Sequence, residues 1–178
     1  MRKVFLRQDG IRCEATFSAC GRYRYRLKRR WGAGDKVLFV MLNPSTADAQ
    51  RDDPTIRRCI GFARKWGFGS VEVVNLFAYR ATKPEALKRV DAPTGPANSR
   101  AVRNALRRAR LVVIAWGNSG AFQRGGIRML DRLRHTVRSS KLVALGWTRL
   151  GHPRHVLYIS GDCKPMKLAN RQTGICPD

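Results

Sequence analysis

Short apolar runs that end in polar turns are the main pattern in this chain. The clearest run covers residues 37–42 and leads directly into Asn43, Pro44 and Ser45. An unbroken apolar run bounded by a turn is typical of a strand buried on both faces, as in a parallel sheet. Further runs of this kind lie at residues 71–76, 111–116 and 142–145, and helical patterns alternate with them at residues 53–66, 99–109 and 121–133.

This alternation predicts an α/β fold with three αβα layers around a mostly parallel central sheet. The N-terminal part differs, because residues 5–7 and 13–17 flank a hairpin-like turn and residues 23–27 alternate apolar side chains with arginine. We expect added antiparallel strands there, the last of them half-exposed, with arginines that meet phosphate or guard a solvated edge. Residues 156–159 are predicted as a further strand or extended edge. The predicted organisation is a single domain over residues 1–178, with N-terminal strands in 1–30, a core in 37–160 and an irregular tail in 161–178.

Charge is the second strong feature of the chain. It has 36 Lys and Arg residues against 12 Asp and Glu, a formal net charge of +24. Self-repulsion on this scale destabilises a compact monomer, so a polyanionic partner is the natural explanation. Arginine suits bidentate phosphate contacts, although a GC-rich genome would also favour arginine codons. We expect a nucleic-acid partner, DNA in the favoured interpretation, and a protein that is itself a monomer.

Cysteine usage and hydropathy indicate a cytoplasmic protein. The chain lacks an apolar run near the ~18 residues that a membrane span needs, and its first residues lack the apolar stretch of a signal peptide. The five cysteines are odd in number and contain no C-x-x-C pair, which favours reduced thiols over a zinc ribbon. The alternative is a cluster of Cys13, Cys20, Cys163 and Cys176. No metal and no cofactor are expected.

Candidate site residues lie where the predicted strands end, because open α/β sheets bind ligands beyond the carboxyl ends of their strands. The candidates at this rim are Asn43, Pro44, Ser45, Asn75, Phe77, Tyr79, Trp116, His152 and His155. Phosphate contacts are expected from rim arginines and from one face of the basic helix, a face that is otherwise simply solvated. The phosphate candidates are Arg80, Arg100, Arg103, Arg107 and Arg154.

Six segments resemble, in order, the uncharacterised bacterial and phage family called domain of unknown function 1643. They are residues 41–48, 52–59, 66–69, 74–82, 115–117 and 151–155. That family has no settled activity. Its usual ending is Gly-x-Pro-Arg-His-Pro-Leu-Tyr, and Val156 stands here in place of the last proline.

More distantly, the layout is similar to the uracil-DNA glycosylase superfamily. There, a first buried strand ends in a motif that in some branches reads Gly-x-Asn-Pro-Gly, a later strand ends in an Asn that recognises the base, and a late His-Pro motif faces the sugar and the base. The matching residues here are Asn43-Pro44, Asn75 and either His152-Pro153 or His155-Val156. Met41 and Ser45 stand where that motif has glycine. The resemblance implies an enzyme that hydrolyses the N-glycosidic bond of a flipped base.

Such a reaction develops positive charge on the sugar and negative charge on the leaving base. Asn43 would position water, with a capped turn as its alternative role. Asp48 and Asp53 are candidate catalytic carboxylates, with ion pairing as the alternative for Asp48 and a helix N-cap before Pro54 as the alternative for Asp53. His155 would stabilise the leaving base or contact phosphate, with His152 as its substitute.

Base recognition would fall to Asn75, whose amide could read a Watson–Crick edge or instead tie two loops together. Phe77, Tyr79 or Trp116 would stack on the base, although a core position is favoured for Trp116. Two other function classes compete with this interpretation. One is a non-catalytic module that binds DNA or RNA, and the other is an enzyme that processes free nucleotides or nucleosides.

Overall fold

A computed structural model describes residues 1–168 of the chain. An eight-stranded sheet runs through this part in the order β1-β2-β3-β5-β4-β6-β7-β8. The strands are β1 Arg2–Gln8, β2 Ile11–Phe17, β3 Arg24–Arg30, β4 Lys36–Met41, β5 Ser70–Asn75, β6 Leu111–Ile114, β7 Leu142–Ala144 and β8 Met166–Lys167. The α-helices are α1 Pro54–Lys65, α2 Asn98–Arg107 and α3 Gly125–Thr136.

The sheet is mixed, which corrects the prediction of a mostly parallel one. Strand β4 pairs in parallel with β5 and β6, and β6 pairs in parallel with β7. The other four pairings, from β1 to β5 on one side and between β7 and β8 on the other, are antiparallel. The parallel prediction therefore holds for the centre of the sheet alone. The predicted irregular tail contains β8, and its residues 169–178 lie outside the described part.

The N-terminal antiparallel strands form as predicted. Strands β1 and β2 are joined by a turn in which Asp9 and Gly10 both have positive φ angles, the combination that a tight hairpin turn needs. The outer face of β3 is half-exposed as expected, but the alternative of an edge strand is wrong, because β3 lies between β2 and β5 inside the sheet. Two of its arginines, Arg24 and Arg29, are buried as a result.

Helices cover both faces of the central strands, so the sheet is the middle of three layers. Helix α1 packs Ile56, Cys59 and Phe62 against one face, which we call the α1 face. Helices α2 and α3 pack mainly through Val102 and Leu133 against the other, which we call the α2 face. None of the described helices is both long enough and apolar enough to cross a membrane.

The segment after the last parallel strand departs from prediction. Residues Val156–Tyr158 form a short 3-10 helix rather than a strand. Arg58 of α1 donates to the backbone carbonyls of Val156 and Ile159, so these groups are not available to a sheet. This contact fixes the segment that carries His155 against α1.

Candidate active site

A cleft of about 700 Å³ opens beside α1, at the carboxyl ends of β4 and β5. Seven of the residues predicted from the sequence line it: Asn43, Ser45, Asp53, Asn75, Trp116, Arg154 and His155. Asn43 and Asn75 follow or end neighbouring parallel strands, and they share this one cleft as expected. The rim therefore gathers amide, carboxylate, imidazole and guanidinium groups around a single space.

The remaining rim candidates do not line this cleft. Pro44 is buried, and its carbonyl accepts hydrogen bonds from the Asn43 side chain and from the Ala81 backbone. Of the two histidines, His155 lines the cleft and His152 does not. The Asp48 carboxylate accepts from the backbone N–H groups of Gln50 and Arg51 at 2.7 and 2.8 Å, so it holds a turn outside the cleft.

Of the three residues expected to stack on a base, two lie outside the cleft. Phe77 is 1% exposed and packs against the Phe122 ring in the core of the α2 face, so a stacking position in the cleft is wrong for it. Tyr79 makes an edge contact with Tyr23, with ring centroids 5.7 Å apart, and lies outside the cleft. Trp116 belongs to the core, as favoured, and also lines the cleft.

The predicted phosphate arginines are dispersed. Arg100, Arg103 and Arg107 are exposed on α2, which covers the sheet face opposite α1. The Arg80 guanidinium lies 5.3 Å from the centre of the Phe17 ring and does not line the cleft. Arg154 lines the cleft and donates to the carbonyl of Tyr158 at 2.9 Å.

The side-chain amides of Asn43 and Asn75 differ in which of their hydrogen-bonding groups are already paired. Asn43 donates through Nδ2 to the carbonyls of Pro44 at 2.9 Å and Ala81 at 2.7 Å. These bonds use both of its N–H donors, so Asn43 offers the cleft its Oδ1 acceptor. The Asn75 side chain is 2% exposed and makes no hydrogen bond with any residue in 1–168. Its amide can therefore donate to, and accept from, a ligand in the cleft.

Asp53 is the carboxylate of the cleft, and it also caps α1. Its Oδ1 accepts from the backbone N–H of Ile56 at 2.9 Å, and its Oδ2 accepts from that of Ala47 at 3.4 Å. Pro54 follows it at the first helical position, as the sequence predicts. A carboxylate offers about four acceptor positions, so each oxygen keeps capacity for a water molecule.

His155 enters the cleft as a neutral imidazole. Burial lowers its pKa below the ordinary value, and the nearby Asp53 carboxylate opposes this shift. The Nδ1 atom accepts from the backbone N–H of Leu157 at 3.4 Å, which leaves the proton of the neutral ring on Nε2. Gly117, whose φ of +67° favours glycine, donates its N–H to the carbonyl of Pro153 and brings the histidine loop against the end of β6.

Sequence reasoning missed Arg24 as a cleft residue. A β-bulge shifts the pairing of β2 with β3, so Thr16 lies opposite Arg26 but Phe17 lies opposite Arg24. The bulge turns Arg24 to the α1 face, where it is 2% exposed and lines the cleft. Burial lowers its pKa to about 10, which keeps it charged at neutral pH. Its Nη1 donates to the carbonyl of Ala47 at 2.6 Å, and its buried Nε has no partner in the described part.

Asn98 is a second residue that the sequence did not single out. Its Nδ2 donates to the carbonyls of Asn75 at 2.9 Å and Leu76 at 3.1 Å, and so fixes the end of β5 against the start of α2. An asparagine that directly follows Pro96-Ala97 gives no signal of this long-range contact. It determines where the Asn75 backbone, and hence its side chain, lies at the rim.

The described residues contain no group of three His, Cys, Asp or Glu side chains arranged to hold a metal ion. Cys13, Cys59 and Cys163 are buried thiols, and Cys20 is an exposed one. Cys176, the fourth member of the alternative cluster, lies outside the described residues. Chemically, the cleft offers donors at Arg24, Asn75 and His155 and acceptors at Asn43 and Asp53, a set that suits a flat polar ring.

Comparison with known proteins gives a family but no activity. No curated protein and no solved structure matches the chain. A family profile described as "Protein of unknown function (DUF1643)" matches residues 24–157, a range that contains every cleft-lining residue except Tyr158 but neither β1 nor β2. With three quarters of its length inside this match, the chain belongs to the DUF1643 family of proteins of unknown function.

Proposed function

We propose that this protein binds nucleic acid and hydrolyses the N-glycosidic bond of a base held in the cleft, as a relative of uracil-DNA glycosylases in fold and chemistry. The observation that carries the proposal is the meeting of Asp53, His155 and the unpartnered Asn75 amide in one cleft of a protein with a net charge of +24. Each group matches one requirement of the reaction.

The leaving base needs a hydrogen-bond donor, because it departs with the electron pair of the broken bond. The neutral His155 ring carries its proton on Nε2, since Nδ1 accepts from Leu157. A donor that is fixed before the reaction stabilises the charge that develops in the transition state without any cost of reorganisation. The Arg24 guanidinium adds a buried positive charge at the same cleft.

The sugar side of the bond needs water and a negative charge. Asp53 stabilises the cationic sugar and accepts a hydrogen bond from the attacking water, and the Oδ1 of Asn43 is a second acceptor for it. The water oxygen adds to C1′, the C1′–N bond breaks towards the base, and the water proton balances the charge of the departing base. These two acceptors orient the water and need not remove its proton first.

Base recognition falls to Asn75. Its side chain is buried, without an internal partner in the described part, at the end of a strand whose Val73 also lines the cleft. A ligand with a donor and an acceptor side by side would pair with both groups of this amide. The base must leave the stack to reach it, and the basic surface would hold the flanking phosphates.

A panel of single-stranded and duplex oligonucleotides with different modified bases tests the proposal. Released bases are identified by mass spectrometry, and abasic sites by cleavage in alkali. We expect His155→Ala to lower the single-turnover rate about 100-fold, the cost of one lost oxyanion-type donor, with little change in binding. The matched control is His152→Ala, a histidine of the same loop outside the cleft, which should act like the wild-type protein.

A non-catalytic binding module is the second candidate, and one observation favours it. Both carboxylate oxygens of Asp53 already accept backbone N–H groups, as they would in a purely structural N-cap. This candidate predicts that the wild-type protein releases no base from any oligonucleotide of the panel. In that case Asn75→Ala would weaken binding to a preferred base, whereas Asn43→Ala would have no specific effect.

A further inference from the structure

Strands β1, β2 and β3 present an uncovered basic surface on the α2 face of the sheet. Cross-strand register places Arg7 opposite Arg12 and Arg12 opposite Arg30, so the three arginines form one row across three strands. Directly opposed side chains lie on the same face of a sheet, and like charges in these positions destabilise it. All three arginines are exposed, so solvent reaches the whole row.

Acidic side chains neutralise this surface only in part. Glu14 forms an ion pair of 3.0 Å with Arg12. Glu72, on the same face next to Lys28, is fully buried and already paired with Arg26 and Lys36. Lys3 and Lys28 add positive charge to the same face, and no further acidic residue lies in the register rows around the arginines. A bound external anion would relieve the repulsion that remains.

An aromatic ring lies among these cationic side chains. Phe5 is 55% exposed on the outer strand β1, and the Arg12 guanidinium lies 5.8 Å from the centre of its ring. The arginine row also borders a groove of about 630 Å³ that ends at Trp31. We call the surface formed by Lys3, Phe5, Arg7, Arg12, Lys28 and Arg30 the basic sheet face.

We propose that the basic sheet face binds single-stranded nucleic acid, with its arginines on the phosphates and Phe5 stacked on an unpaired base. Base stacking on aromatic rings beside a positively charged groove is how proteins hold single strands without reading their sequence. A duplex would offer phosphates but no open base for Phe5. An anionic membrane fits less well, because Phe5 is the one large apolar side chain among the six residues of the basic sheet face.

The surface is separate from the cleft. Arg30 lies opposite Ser70 at the start of β5, whereas Asn75 at the other end of β5 lines the cleft. Strands β1 and β2 also precede residue 24, where the family match begins. The basic sheet face would thus retain a strand at a distance from the cleft, and its binding does not depend on any reaction there.

Fluorescence anisotropy with an unmodified single-stranded oligonucleotide and a hairpin duplex of the same sequence tests this proposal. Phe5→Ala should weaken single-strand binding roughly 5- to 150-fold, the range for one base–aromatic stack, and should affect the duplex much less. Leu150→Ala, another exposed apolar residue, is its matched control and should bind like the wild type.

The triple variant Arg7→Ala, Arg12→Ala, Arg30→Ala should flatten the dependence of log affinity on log salt by about 2, at about 0.7 per lost phosphate contact. The matched triple Arg128→Ala, Arg132→Ala, Arg134→Ala on α3 removes equal charge elsewhere and should change it little. Equal losses in both triples, or wild-type binding by Phe5→Ala, would overturn the proposal. A wild-type protein that binds no oligonucleotide at low salt would overturn the proposed function as well, whereas failure to release a base would leave this surface unaffected.

Discussion

Arg29 on β3 and Asp52 in the loop before α1 form an ion pair of 2.8 Å, with the Arg29 side chain 2% exposed and that of Asp52 27% exposed. Arg29 also donates to the backbone carbonyls of Lys28 and Asp48. The loop that follows β4 carries Asn43, Ser45 and Asp53, so this buried cation holds the cleft-lining loop against the sheet.

Removal of the carboxylate should therefore destabilise the protein. We expect Asp52→Ala to lower the free energy of unfolding by about 1–3 kcal/mol, because a hydrogen-bonded charge in the interior loses its ionic partner. The exposed pair Arg110–Asp35, at 3.5 Å, is the matched control, and Asp35→Ala should change stability by at most about 0.5 kcal/mol. Urea denaturation measures both variants. Equal losses of stability in the two variants would mean that the buried Arg29 charge does not need Asp52 as its ionic partner.

Close backbone contact makes Gly69 intolerant of any side chain. A Cβ built on Gly69 would lie 2.4 Å from the backbone nitrogen of Gly34, which cannot move away as a flexible side chain can. Gly69→Ala should cost roughly 1–3 kcal/mol of stability, as overpacking does. Gly61, in the exposed part of α1, has nothing within 4 Å, so Gly61→Ala should stabilise the protein by about 0.5–1 kcal/mol. Thermal unfolding of both variants checks the opposite signs.

The pKa of His155 predicts a loss of stability in mild acid. Burial lowers this pKa in the folded state, so the unfolded chain binds the proton more readily. Stability should then fall as the pH drops through the unfolded value of about 6.5, by at most about 1.4 kcal/mol per pH unit, and level off below the folded pKa.

Unfolding measured from about pH 7.5 to about pH 5 tests this, above the range in which ordinary carboxylates titrate. His155→Asn keeps an acceptor for the Leu157 N–H and removes the titrating group, so its stability should depend less on pH in this window. His152→Asn should retain the wild-type dependence. An unchanged slope in His155→Asn would assign the effect to another group.

The arginines of α2 allow a separate test of charge-driven binding. Arg100 and Arg103 are exposed on the α2 face, away from the cleft. If both contact phosphates of a duplex, Arg100→Ala with Arg103→Ala should flatten the log–log salt dependence by about 1.8, at about 0.9 per contact. The rate of base release at saturating protein should not change. A salt dependence equal to that of the wild type would show that this face of α2 is simply solvated.

The strand pattern was readable from the sequence because it rests on local signals. The apolar run before Asn43 and the Asp53-Pro54 helix start are both present in the structure, since burial and capping act over a few residues. The sharing of one cleft by Asn43 and Asn75 followed from the parallel pairing of β4 with β5.

Contacts between segments distant in the chain could not be predicted from the sequence. Phe77 follows Asn75 closely, yet it lies on the other face and packs on Phe122, 45 positions further along the chain. Asp48 and Asp53 were both candidate catalytic carboxylates, but a turn engages the first and a helix start places the second in the cleft. Apolar periodicity does not show which strands pair with each other, so the antiparallel pairing of β3 with β5 could not be predicted.

The β-bulge in β3 makes spacing in this strand matter more than residue identity. Regular alternation places Arg29 on the buried face and Arg26, Lys28 and Arg30 on the outer face, and the bulge adds Arg24 to the buried face. Loss of one residue such as Leu27 would move Arg26 into the core position opposite Ala15 while leaving the composition almost unchanged. In an evolving gene, a single-codon deletion here would therefore be more harmful than many substitutions, whereas the turn at Gly10 should accept changes in length.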